Sequence, residues 1–268
     1  MHQLISEDDV EAFQNDGVCL IKGLFADHLG QIIDGIEMNM REPGEYAAEN
    51  LKDGESGRFF DDYCNWQRIP HFADVIRKSA AGQIAADLMQ SETVQVFHDH
   101  VLVKEPGTAK ATPWHQDAPY YFVDGVQNVS FWAPVDPVQE ATLRCVAGSH
   151  KWPRQVLPTR WLNEDDFYPN EETYMPVPDP DAEGMKILEW PMEPGDAVAF
   201  NFGVLHGARG NHSDTRRRAF SLRLVGDDAR YVQRPGRTSP PFPGHNMKPG
   251  ERLREDWFPV IWDAKLNS

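Results

Sequence analysis

Positive charge is scarce in this chain. Lys and Arg number 26 against 42 Asp and Glu, a formal net charge of -16. Binding a phosphate backbone relies on neutralising cations, so the balance argues against nucleic-acid binding as the main business of the protein. No apolar run is long enough to span a bilayer, and the opening stretch MHQLISEDDVEAF is acidic where a signal peptide is basic and then apolar. The expectation is a soluble cytoplasmic protein with no membrane partner. Cysteine is scarce too: Cys19, Cys64 and Cys145 are odd in number, far apart and never arranged as CxxC. That argues against a disulfide framework and against a thiolate zinc site. Heptads are also missing, so a monomer or simple homodimer is expected.

What is present suits one domain. The chain has 268 residues, 40% of them hydrophobic, enough to bury a real core. Charge is unevenly spread, with an acidic first 60 residues and an Arg-rich stretch over 206–240. Ser6 followed by Glu7, Asp8 and Asp9 predicts a capped helix that Gly17 stops. Val18 to Lys22 reads as a short strand. Asp27 is the expected cap of a helix carrying Leu29, Ile32, Ile33, Ile36 and Met40 on one face, ended by Pro43-Gly44. Residues 45–62 are polar and Gly-containing and read as loop, a candidate flap, before helical patterns resume from Phe72 to Met89.

From Val94 the period changes to two. Val94, Val96, His98, His100 and Leu102 alternate with Gln95, Phe97, Asp99, Val101 and Val103. Further strands are expected over 111–123, Asn128 to Val135, Thr142 to Ala147, Lys186 to Trp190, Ala197 to Phe200 and Arg217 to Val225. Residues 151–184 read as an irregular insertion with one helical turn near Glu164 to Phe167. Short strands joined by Pro and Gly turns predict a mainly β protein. Its core is a double-stranded β-helix, the cupin-like jelly roll, with N-terminal and flanking α-helices. The expected parts are a helical segment about 1–92, a jelly-roll core about 93–226 and a surface-wrapping tail about 227–268.

The stretch Ala111 to Val123, ATPWHQDAPYYFV, carries the chemistry. His115 and Asp117 are two apart, so in an extended strand both point to one face and can grip one metal ion. The best-placed third ligand is His206, just after the apolar strand Ala197 to Phe200. Two imidazoles and one carboxylate on one side of an ion leave the other side open, the ligand set of non-haem Fe(II) oxygenases.

The order His115-x-Asp117, Trp132, Gly148-Ser149-His150, Pro194-Gly195-Asp196, His206, Arg217-Arg218-Ala219-Phe220-Ser221 resembles the phytanoyl-CoA dioxygenase family of Fe(II)- and 2-oxoglutarate-dependent oxygenases. The opening SEDDVEAFQNDGVCLIKGLF is similar to that family's usual start. The resemblance implies Fe(II), 2-oxoglutarate as cosubstrate and O2, with His115, Asp117 and His206 as the catalytic metal ligands. It implies Arg217, eleven residues after His206, as the partner of the far 2-oxoglutarate carboxylate, with Arg218 as the alternative one register away. Trp132 and His100 fall where the family lines its cosubstrate pocket. In related halogenases a small residue replaces the carboxylate, so Asp117 implies hydroxylation, with release of succinate and CO2. His98 reads as a buried imidazole, Gln116 as facing away from the metal and His150 as a turn residue.

The substrate implied is a small organic molecule, anionic or zwitterionic, with Arg144, Arg154, Arg209 and Arg223 as possible partners. Gln139-Glu140-Ala141 stands where the family commonly has an Asn-Gly turn, which weakens transfer of any particular substrate. Two other readings stay open: a cupin-like metal enzyme that uses no keto acid, and a non-catalytic jelly roll with a structural metal.

Overall fold

The computed structural model describes residues 5–163, 165–168 and 172–267. Helix α1 (Glu7–Asp16) begins with a capping box in which Ser6 and Asp9 satisfy each other's backbone N–H groups, worth about 1 kcal/mol. It ends at Gly17, whose φ is 78°. A Cβ there would overlap the His150 ring and Val204, so only glycine lets the helix close against the Gly148-Ser149-His150 turn.

Helix α2 (Leu29–Arg41) buries Ile32 and Ile36. Asp27 does not cap it: the residue lies inside a 3-10 turn, Ala26–His28, and His28 precedes the helix without a side-chain cap. Helices α3 (Pro70–Lys78) and α4 (Ala81–Met89) divide the predicted helical stretch. Pro70 opens α3 where its missing N–H is not needed, and Arg77 and Lys78 meet the negative end of its dipole.

The strands are β1 (Val18–Ile21), β2 (Ala48–Glu49), β3 (Phe59–Tyr63), β4 (Thr93–Lys104), β5 (Thr112–His115), β6 (Val123–Asp124), β7 (Asn128–Pro134), β8 (Leu143–Val146), β9 (Ile187–Leu188), β10 (Ala197–Phe200), β11 (His206–Ala208), β12 (Arg217–Val225), β13 (Arg230–Tyr231) and β14 (Val260–Asp263). The large sheet runs β1-β10-β7-β12-β4-β3-β2, with β14 added against β4, and the second runs β5-β11-β8-β9. Every pairing between strands of these two sheets is antiparallel. The expected mainly β jelly-roll architecture with outer helices is what the chain forms.

Strand alternation divides the core in two. Phe220 and Leu222 of β12, Phe131 and Ala133 of β7 and Val101 and Val103 of β4 pack with Ile36, Phe72 and Leu88 of the helices. Ala219, Trp132, Leu102, Phe59 and Phe200 turn the other way and meet Leu143 and Cys145 of the second sheet. Each fully buried Phe of the helix-side layer contributes about 2–3 kcal/mol.

Two further expectations fail beside the Asp27 cap. The stretch 45–62 is not all loop, because β2 and β3 lie in it and β3 pairs with β4 along its whole length. Its acids are buried with partners: Asp61 accepts from Asn50 at 2.5 Å and sits 2.8 Å from His100, while Asp62 accepts from Asn39 at 2.7 Å. The tail does not merely wrap the surface either. β14 joins the large sheet and Phe258 is completely buried, so nonperiodic sequence here still supplies core. The described residues of the 151–184 insertion are irregular, as expected. Of its anticipated helical turn, Glu164 lies outside the described residues, and 165–167 are not helical. Among the described residues no helix is long and apolar enough to cross a membrane.

Candidate active site

β5 and β11 are neighbours in the second sheet, and their register sets His115 directly opposite His206. The ring centroids are 4.2 Å apart. Asp117 Oδ1 lies 3.7 Å from His115 Nε2 and 3.9 Å from His206 Nε2. The three side chains are buried, and one ligand atom from each falls within 4.8 Å of the others. Asp117 does not reach this point along an extended strand. β5 stops at His115, and Asp117 has φ -70° and ψ -40°, entering the 3-10 turn Ala118–Tyr120. The two-residue spacing therefore works through a bend.

Both imidazoles are fixed in the same tautomer. His115 Nδ1 meets the Pro113 carbonyl at 2.8 Å and His206 Nδ1 meets the Val204 carbonyl at 2.9 Å. A carbonyl only accepts, so each Nδ1 carries the hydrogen and each Nε2 lone pair is free for a metal. Burial, then the neighbouring His206, push His115 down to about 3, and burial lowers His206 as well. Burial alone would raise Asp117, but Arg223 and the two imidazoles outweigh it and hold the carboxyl well below the usual carboxylate range. Neutral imidazoles and an ionised carboxylate are the forms that ligate, and this donor set fits Fe(II).

Asp117 is itself held. Its Oδ2 accepts from Ser130 Oγ at 3.2 Å and from Arg223 Nη2 at 3.4 Å, which leaves Oδ1 for the metal. Arg223 also donates to the Tyr121 hydroxyl at 2.9 Å. Of the four arginines considered as substrate partners, only Arg223 reaches the His115–Asp117–His206 cluster. Arg144 is tied to Asp181, Arg209 to Glu189, and Arg154 to backbone carbonyls of 172–174.

A cavity of about 400 Å³ opens beside the cluster, bordered by His115 and Asp117. Tyr46 and Tyr63, stacked at 4.9 Å, and Tyr120, Trp161 and Phe167 give it aromatic walls. His100 lines it and is bonded to Asp61, while His98, also lining it, is a buried imidazole whose Nδ1 lies 3.1 Å from the Asp99 carbonyl. Gln116 turns away, as expected, to Gly203 and Val156.

Arg217 lies further along β12 on the inward face, and Trp132 stands beneath it with 5.6 Å between guanidinium carbon and ring centroid. The guanidinium is buried, donates to the Ala141 carbonyl at 3.0 Å and keeps a buried Nε with no partner. A buried, incompletely bonded guanidinium fits the far carboxylate of 2-oxoglutarate. Arg218 points outward to Asp136 and Glu37.

Sequence reasoning missed Ser130, Trp161 and the β3 residues Asp61 and Tyr63. Arg223 was legible only as a possible substrate partner, although its even separation from Arg217 on one strand places both inward.

The family profile described as phytanoyl-CoA dioxygenase (PhyH) matches residues 13–219. A probable phytanoyl-CoA dioxygenase of Caenorhabditis elegans is 29% identical over 202 residues, covering 73% of this chain and 60% of that protein. Among solved structures, the α-ketoglutarate-dependent carbocyclase SnoK of nogalamycin biosynthesis superposes with TM-score 0.73 at 22% identity, covering 96% of both chains. The epimerase SnoN, in complex with Fe3+, α-ketoglutarate and nogalamycin RO, superposes with TM-score 0.75 at 17% identity, covering 95% of this chain and 98% of its own. Those two likenesses establish a shared fold. The profile match over most of the length goes further, and the chain belongs to the phytanoyl-CoA dioxygenase family of Fe(II)- and 2-oxoglutarate-dependent oxygenases.

Proposed function

We propose that this oxygenase hydroxylates an unactivated C–H bond of a small organic substrate, anionic or zwitterionic, with His115, Asp117 and His206 holding the metal and Arg217 the cosubstrate. The observation that carries the reading is the buried cluster of two tautomer-fixed imidazoles and one carboxylate beside a cavity. When bound there, iron and 2-oxoglutarate supply the oxidising chemistry, consuming O2 and yielding succinate and CO2.

The chain's own residues bind, orient and exclude water. His115 and His206 present lone pairs, and Asp117 presents one oxygen because Ser130 and Arg223 occupy the other. Arg217, over the Trp132 ring, would receive the cosubstrate's far carboxylate, and His100 lines the cavity beside His115 and Asp117. The aromatic side chains Tyr46, Tyr63, Tyr120, Trp161 and Phe167 supply the apolar part of the cavity wall. A retained Asp117 supports hydroxylation, since no small residue makes room for a halide. Arg160 and Arg223 on the cavity lining support an anionic or zwitterionic substrate.

The test is an anaerobic titration of metal-free protein with Fe(II) and then 2-oxoglutarate, followed by the visible charge-transfer band of a chelated keto acid. A band with wild type that needs far more 2-oxoglutarate in Arg217→Ala is expected. A metal-bound protein with no band would favour a cupin-like enzyme without a keto acid. Substrate-dependent succinate formation that survived Asp117→Ala and His206→Ala would overturn the ligand assignment.

A further inference from the structure

Lys104, the last residue of β4, has no exposed surface. The β4–β12 register sets it directly opposite Arg217, and the β3–β4 register sets Phe59 on its other side. Like charges directly opposite each other across a ladder repel, and burial removes the water that would screen them. The Lys104 Nζ has only the Arg209 carbonyl at 3.2 Å and the face of Phe59, 4.4 Å from its centroid. No carboxylate among the described residues acts on either group; burial, then Arg217, push the Lys104 amine down to about 5. Arg217 meanwhile keeps its unbonded, buried Nε. A buried amine facing a buried guanidinium, with no anion beside either, forms a site that a carboxylate would complete, and its entry would favour the protonated form of Lys104.

We propose that Lys104 is a second cosubstrate-binding residue, clamping the far carboxylate of 2-oxoglutarate together with Arg217 from the adjacent strand. The inference rests on the reading of Arg217 given above. β12 supplies the planar guanidinium and β4 a point charge, so the carboxylate bridges two neighbouring strands of the large sheet. The same anion would offset the cost of protonating the Lys104 amine beside Arg217.

The experiment measures equilibrium binding of 2-oxoglutarate, and of 2-oxobutyrate, which lacks the far carboxylate, to Mn(II)-loaded protein without O2. Wild type, Lys104→Met, Lys104→Arg and Arg217→Met are compared, and thermal unfolding of each metal-free protein is recorded. Lys104→Met is expected to weaken 2-oxoglutarate at least tenfold and leave 2-oxobutyrate unchanged, with Lys104→Arg recovering most of the loss. The metal-free Lys104→Met protein is expected to melt no lower than wild type. If Arg217→Met loses 2-oxoglutarate while Lys104→Met binds it as wild type does, the Lys104 proposal alone falls. If Lys104→Met weakens both keto acids equally, its effect is structural and the proposal also falls. If wild type prefers neither keto acid, or Arg217→Met binds both normally, the cosubstrate reading fails and takes this proposal with it.

Discussion

Arg223 reaches Asp117 on the oxygen turned away from the imidazoles, 3.4 Å from Nη2 to Oδ2, with both side chains almost fully buried. The two carboxylate oxygens are thereby divided: Oδ2 is taken by Arg223 and Ser130, and Oδ1 faces the two imidazoles. Such outer partners set ligand orientation, and losing one commonly lowers metal affinity about 10–100-fold. Arg223→Met is expected to weaken Mn(II) or Fe(II) binding by that order. It also leaves a buried carboxylate with one fewer partner, so the metal-free variant should lose about 3–5 kcal/mol in denaturant unfolding. Ser130→Ala should show the same effects, smaller. Unchanged metal affinity in Arg223→Met would remove Arg223 from the site.

Metal removal should be felt as stability. Three buried ligands converge on one point in the folded chain only, so an ion that binds there stabilises it, by about 2.7 kcal/mol at a hundredfold excess over the dissociation constant. Treatment with a chelator should lower the melting temperature of wild type and adding Mn(II) should restore it. His206→Ala should not respond to either. A metal response that persisted in His206→Ala would place the ion elsewhere.

How much of this was legible in the sequence follows from period and register. β12 alternates, so parity set Arg217 on the face opposite Arg216 and Arg218, while Trp132 and His100 were legible only through the family resemblance, and β4 shifts register at Phe97 with no local sign of it. The capped α1 was equally plain, since Ser6 and Asp9 act within one turn. β3 was hidden because Phe59-Phe60-Asp61-Asp62-Tyr63 has neither alternation nor turn residues, and its acids are tolerated only by partners far along the chain. β14 was hidden for a related reason: what recruits Val260–Asp263 is a free edge on β4, which no local pattern announces. The bend at Asp117 was not readable either. A spacing of two suits a strand, yet Pro119 and the Ala118–Tyr120 turn swing the carboxylate to the metal point by another route.

The adjacent arginines of β12 should separate cleanly. Arg217 is inward and buried, whereas Arg218 pairs with Asp136 at 2.7 Å and Glu37 at 2.9 Å on the outer side. A charge-assisted hydrogen bond is worth about 1.5–3 kcal/mol, so Arg217→Ala should raise the 2-oxoglutarate dissociation constant about 10–100-fold. Arg218→Ala should leave that constant alone and cost about 1 kcal/mol or less in unfolding, as partly exposed pairs do. The reverse pattern in binding assays would shift the role by one register.

Lys104 also predicts a pH dependence whose sign can be worked out. Burial and Arg217 depress its amine to about 5 in the folded protein, while in the unfolded chain it keeps a value near 10.5. Between those two values unfolding takes up a proton at this residue, so its contribution to stability improves as pH rises and worsens as pH falls. Methionine at this position binds no proton in either state. The advantage of Lys104→Met over wild type in metal-free unfolding should therefore be larger at pH 6 than at pH 9. A stability difference that is flat across that window would mean Lys104 holds its proton in the folded chain. The two facing cations would then both be charged without ligand, and the repulsion between β4 and β12 would have to be offset elsewhere in the sheet.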